Sequence, residues 1–146
     1  MSDASPAPRV PPVSSGRRRR LIAGAALVLC IGAGLGVHLF VPDGAASDIA
    51  GDALYAAAAY LAAVIVLPRL HPVVVALIAA AWCVAIELFQ LTGVPLELGA
   101  RFAPAMLVLG TVFDARDLIV YIVTIAVLAL GDSVLRTVVR NSARRS

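Results

Sequence analysis

Directly after four consecutive arginines, Arg17 to Arg20, the chain runs through residues 21–41 with apolar or small side chains and one exception, His38. A helix of about 20 such residues crosses the roughly 30 Å of hydrocarbon in a bilayer. Few other solutions exist for so long an apolar run, because in lipid every backbone polar group must be bonded within its own segment. Three more apolar stretches follow, at about 50–67, 73–91 and 117–135. The expected fold is therefore all-α: a polytopic membrane protein built as a four-helix transmembrane bundle.

Composition agrees. Hydrophobic residues make up 61% of the chain and charged residues 14%, against about 45–50% and 25% in soluble domains. The run 21–41 reads as a retained anchor and not as a cleaved signal, whose apolar region is usually only about 7–15 residues long. Leu29, where a lipoprotein signal would need a small residue, precedes Cys30. Residues 1–20 read as a disordered tail rich in Pro, Ser and Arg, residues 21–135 as the membrane domain, and residues 136–146 as a basic tail.

The segment between the third and fourth spans is harder to place. Residues 102–113 are apolar but too few to cross, and they contain Pro104 and Gly110. Extending a span through them to residue 122 would bury Asp114, Arg116 and Asp117, at about 2.5–3.5 kcal/mol each. We expect a short re-entrant or interfacial segment on the outer face.

Every basic side chain other than histidine is an arginine. With four spans, ten arginines (Arg9, Arg17 to Arg20, Arg69, Arg136, Arg140, Arg144 and Arg145) fall on one side, and only Arg101 and Arg116 on the other. The positive-inside rule then puts both termini in the cytoplasm. The net charge of +3 reports topology and contact with lipid headgroups, and no nucleic-acid partner is expected. Membrane lipids are the expected partners, and a homo-oligomer is left open.

Few residues have the character to carry chemistry. Cys30 and Cys83 lie inside apolar runs without metal-ligand spacing and read as small buried hydrophobes. No metal site and no cofactor are expected: the string Gly32-Ala-Gly34-Leu-Gly36 sits in a membrane helix with no strand before it, so it is no dinucleotide motif. Gly32 and Gly36 instead make a GxxxG spacing for close helix packing, with the alanines at 56–59 as a candidate partner surface. His71, in the turn between two prolines, reads as solvated or locally bonded. Asp132 and Arg136 are spaced to pair along one helix.

Glu87 is the most informative position. It lies about 21 Å along its span from the inner end, where an acid must be paired, protonated or turned to a polar cavity. Gln90 shares its face. Asp117, Tyr121 and Thr124 form a second polar stripe, with Asp117 also suited to the helix N-terminus. The topology brings Asp52, Glu87, Gln90, Asp117 and Tyr121 to the outer level, with Arg101 and Arg116 in the loops beside them. The candidate ligand-binding residues are Glu87, Gln90, Arg101, Asp117, Tyr121 and Asp52. No catalytic residue is proposed, because no nucleophile set is present. The same residues equally suit an ion-pair network that only seals the bundle.

Several of these residues stand in a familiar order. Gly51-Asp52-Ala-Leu54-Tyr55-Ala, Pro68-Arg69, Glu87-Leu-Phe-Gln90-Leu, Leu109-Gly110-Thr-Val-Phe113 and Asp117-Leu-Ile-Val-Tyr121 resemble small bacterial membrane proteins recorded as domain of unknown function 2809. The resemblance covers about residues 20–135 and implies a bacterial cytoplasmic-membrane location but no activity. Thr124 stands where that family usually has a glycine. A weaker similarity runs to VanZ-like membrane proteins, associated with teicoplanin resistance. Glu87, Gln90, Arg101 and Asp117 match that pattern, whereas Tyr121 replaces an asparagine.

Three functions are compatible with these features. One is binding of a lipid-linked or cell-envelope molecule at the outer leaflet. A second is a structural or accessory membrane subunit. The third, a small proton-coupled transporter, is disfavoured by the purely apolar inner part of the third span.

Overall fold

The computed structural model describes residues 15–102, 104–110 and 112–143. Among these residues there is no strand, and the helices are α1 (Ser15–Phe40), α2 (Ala45–Val66), α3 (Pro72–Gln90), α4 (Val94–Arg101), α5 (Pro104–Leu109) and α6 (Ala115–Ala143). Four of them, α1, α2, α3 and α6, are long and apolar enough to cross a membrane. The protein is a multi-pass membrane protein.

The boundaries follow from local chemistry. Helix α2 starts earlier than expected because Ser47 Oγ accepts from Gly44 N at 2.9 Å and supplies the missing first-turn partner. Asp48 in that turn adds a favourable dipole interaction. Helix α3 starts with Pro72 and is capped by His71, whose Nδ1 accepts from Val73 N at 3.4 Å. The local bonding expected of His71 is therefore present. After α3 the chain turns at Gly93, whose φ of 73° suits a residue without a Cβ.

The connection between α3 and α6 holds two short helices: α5 lies within the segment expected at 102–113, and α4 precedes it. Pro95 sits in the first turn of α4 and Pro104 opens α5, so each proline starts a new helix. Helices α1 and α6 run past their apolar cores into the arginine-rich ends. Residues 15–20 and 136–143, expected in the tails, are helical. Arginine is a good helix former, and several of these arginines find acceptors nearby. Residues 1–14 and 144–146 of the expected tails lie outside the described residues.

Helix α2 is the hub, packing on α1, α3 and α6. The core is three facing stripes: Ala56, Tyr60 and Val64 on α2; Val75, Ala79 and Cys83 on α3; Tyr121, Ile125 and Ala129 on α6. Each recurs every four residues, the spacing that keeps side chains on one helix face. Their small residues permit close approach, which is what holds helices together where lipid and side chain are equally apolar. Helix α1 joins through Ala23 and Cys30, whose thiol donates to Leu54 O at 3.1 Å. Its other side, with Leu29 and Phe40 at 74% and 82% exposure, suits lipid tails.

Gly32 and Gly36 do not form that seam, since an added Cβ at either would meet no atom within 4 Å. The close-packing role expected for them is not used within this chain.

Candidate functional site

The bundle has two polar ends. One carries aspartates, the other arginines.

At the aspartate end, Glu87 is completely buried. Its Oε1 accepts from the Tyr121 hydroxyl at 3.0 Å, and its Oε2 from the Asp114 backbone N–H at 3.4 Å. The Tyr121 ring lies against Tyr55, centroids 5.9 Å apart and tilted by 48°. The Tyr55 hydroxyl in turn accepts from Trp82 Nε1 at 3.2 Å. Helices α2, α3 and α6 thus meet in a polar–aromatic knot anchored on Glu87.

Gln90, one turn on, is also buried and donates through Nε2 to Leu109 O at 2.9 Å. Its Oε1 has no partner among the described residues. Gly110, which has φ of 64°, lies so close to that amide that any Cβ would collide with Gln90 Nε2. The Glu87-x-x-Gln90 pair therefore grips the loop leading into α6: Glu87 holds Asp114, and Gln90 holds Leu109.

Beside this knot, and not lined by it, opens a cleft of ≈ 470 Å³ between the end of α1, the start of α2 and the loop before α6. Asp43, Asp48, Asp52, Asp114 and Asp117 line it, with His38, Ser47 and Arg116. Asp52 on α2 and Asp117 on α6 face the same cleft from two different helices. Asp114 accepts from Arg116 N at 2.8 Å and pairs with the Arg116 guanidinium at 3.6 Å. Both of those side chains are about half exposed, so the pair adds little stability.

The six candidate ligand residues thus divide. Glu87, Gln90 and Tyr121 are buried together, Asp52 and Asp117 line the cleft, and Arg101 sits exposed in the last turn of α4, outside both groups. The expected cluster of acids with Arg101 is not formed. Asp43, Asp48 and Asp114 lie on the cleft wall although they read as ordinary loop and helix-end acids. The one available signal was that residues 42–52 hold three aspartates and no base. Among the described residues, no group of three or more His, Cys, Asp or Glu side chains is arranged to hold a metal ion.

At the arginine end the expected Asp132–Arg136 pair is replaced. Asp132 pairs with Arg19 from α1, accepting from its Nε and Nη2, and accepts from Tyr60 OH at 2.9 Å. Arg136 instead donates to Leu70 O at 2.9 Å and Pro68 O at 3.3 Å, which Arg19 Nη1 also contacts. Two arginines from opposite ends of the chain therefore clamp the α2–α3 turn. The fork of a guanidinium matches a carboxylate or adjacent carbonyls better than solvent-facing pairing along one helix.

A four-span, all-helical membrane bundle with a buried glutamate defines the class. A family model described as protein of unknown function (DUF2809) matches residues 41–125, more than half of the chain, and the chain belongs to that family. The match takes in every cleft aspartate, Glu87, Gln90 and Tyr121, but not Arg19, Asp132 or Arg136. No curated protein and no solved structure matches the chain.

Proposed function

We propose that this membrane protein binds, at its aspartate end, a cell-envelope or lipid-linked molecule that presents a positively charged group. The observation that carries the reading is the cleft, with five carboxylates set against one arginine and one histidine on its walls. Such a wall focuses negative potential and favours a cation over an anion. An organic amine suits it better than a bare metal ion, because the donors are not gathered into a coordination shell. Asp52 and Asp117 are the residues we expect to contact the ligand, with Asp43, Asp48 and Asp114 contributing field.

In the orientation supported by the arginine asymmetry, both termini face the cytoplasm of a bacterial inner membrane and the cleft opens to the outer face. Glu87 and Gln90 then act as positioning residues that hold the loop carrying Asp114 and Asp117.

A second reading, an accessory subunit without ligand, is favoured by a different observation: Glu87 is fully buried with both oxygens engaged, as expected of packing glue. Native mass spectrometry separates the two. The detergent-purified wild type is compared with Asp52→Asn/Asp117→Asn and with Glu87→Gln. A small molecule retained by the wild type and lost from the double variant supports the binding function. Bare spectra from all three, with equal folding, support the accessory reading.

A further inference from the structure

We infer that the arginine end carries a second binding site, a groove for the phosphate of an anionic molecule, presented by a lipid headgroup or free in solution. The groove, ≈ 420 Å³, lies between the first turns of α1 and the end of α2 and is lined by Gly16, Arg17, Arg20 and residues 66–70, Arg69 among them. Among the described residues, three guanidinium side chains border it and no carboxylate does. The acid of this end, Asp132, is already engaged by Arg19 and Tyr60, so it offers the groove no counter-charge.

The arginines divide into two sets with different work. Arg19 and Arg136 are committed to Pro68 O and Leu70 O, on either side of Arg69. They rigidify the turn from one side and leave Arg69 exposed on the other. Arg20 is fixed through Nε, which donates to Ile65 O at 2.8 Å. Its terminal nitrogens have no acceptor among the described residues. Gly16 sits beside the stem of Arg69, whose Cγ lies 3.8 Å from where a Cβ on that glycine would be. Arg20 is thus partly held in place before any ligand arrives, which lowers the entropy lost on binding. Guanidinium groups match phosphate oxygens with paired hydrogen bonds.

Depth fits a phosphate as well. The candidate span on α1 begins at Gly16 and the one on α2 ends at Val66, so the groove lies where two spans end, the part of such a helix that meets lipid headgroups. Val66, 69% exposed at its rim, offers an apolar path for an acyl chain.

The test uses the full chain in a neutral detergent, titrated with phosphatidylglycerol, phosphatidylcholine or inorganic phosphate and read by native mass spectrometry. The variants are Arg17→Gln/Arg20→Gln/Arg69→Gln, the matching triple lysine form, and Arg101→Gln/Arg116→Gln as a charge control from the other end. Wild type is expected to retain one phosphatidylglycerol at about tenfold lower concentration than the glutamine triple, with the control unchanged. The lysine triple is expected to fall between them, since it keeps charge without the fork. If inorganic phosphate displaces the lipid or binds alone, the phosphate site stands and its source is the free ion. Phosphatidylglycerol binding equal in wild type and glutamine triple, both folded by circular dichroism, overturns the site. So does an equal loss in the Arg101/Arg116 control.

Discussion

Tyr121, on the last membrane helix, donates its hydroxyl hydrogen bond to Glu87 at 3.0 Å, and that carboxylate is sealed from the surroundings on every side. The bond joins α3 to α6 across the centre of the aspartate end. It makes Glu87 a fastening between helices, set apart from the acids that line the cleft.

Removing either partner should cost stability, and by unequal amounts. Tyr121→Phe loses one hydrogen bond, about 0.6–1.7 kcal/mol in a membrane protein. Glu87→Ala also leaves the Tyr121 hydroxyl and the Asp114 N–H without acceptors, for about 1–3 kcal/mol. Unfolding in mixed micelles, followed by the fluorescence of Trp82, measures both. A double variant whose cost equals the sum of the singles would show that the bond contributes nothing.

The Arg19–Asp132 pair is mostly buried, with side-chain exposures of 12% and 16%. Asp132→Asn should destabilise by about 1–3 kcal/mol, below the 3–5 kcal/mol of a fully buried broken pair. Arg136→Gln should cost less, since it faces carbonyls that Arg19 also serves. Equal melting of wild type and Asp132→Asn would remove the clamp from the account.

Glycines supply a contrast within one chain. Gly110→Ala must place a side chain at φ of 64° and against Gln90, for at least about 1 kcal/mol. Gly32→Ala and Gly36→Ala meet open space, and a helix-interior alanine is better than glycine by about 0.5–1 kcal/mol. They should stabilise the monomer. A loss of stability at Gly32 or Gly36 that depends on protein concentration would instead reveal helix α1 as a contact between copies.

Topology is open to a direct experiment. An alkaline phosphatase fused after Ser146 should be inactive and one inserted at Gly44 active, because ten of twelve arginines lie with the termini. The reverse pattern would turn the cleft to the cytoplasm.

The four spans were legible because a run such as 73–91 has one reading in a bilayer. Glu87 was legible for the same reason: one carboxylate in that run is conspicuous. Its donor Tyr121 was recognised on the correct helix face, although nothing in the sequence paired the two. Asp132 shows where sequence reading stops. Its nearest base along the helix is Arg136, but its partner is Arg19, 113 residues away, and only the packing of three helices selects it. The cleft was obscured differently. Asp43, Asp48 and Asp114 look like solvated loop and cap residues one at a time, and they acquire a shared wall only when α1 and α6 flank α2. Arg101 does not line the cleft: Gly93, Pro95 and Pro104 break the connecting segment into two short helices, and Arg101 ends the first of them.

Both long-range fasteners end on α6: Glu87 waits for Tyr121, and Arg19 waits for Asp132. During synthesis, the first three spans therefore enter the bilayer with Glu87 lacking its tyrosine donor near one face and Arg19, held only by the Pro68 and Leu70 carbonyls, lacking its carboxylate near the other. The last helix supplies both partners at once. Until it arrives, the half-made bundle carries the cost of polar groups in lipid without their full set of partners.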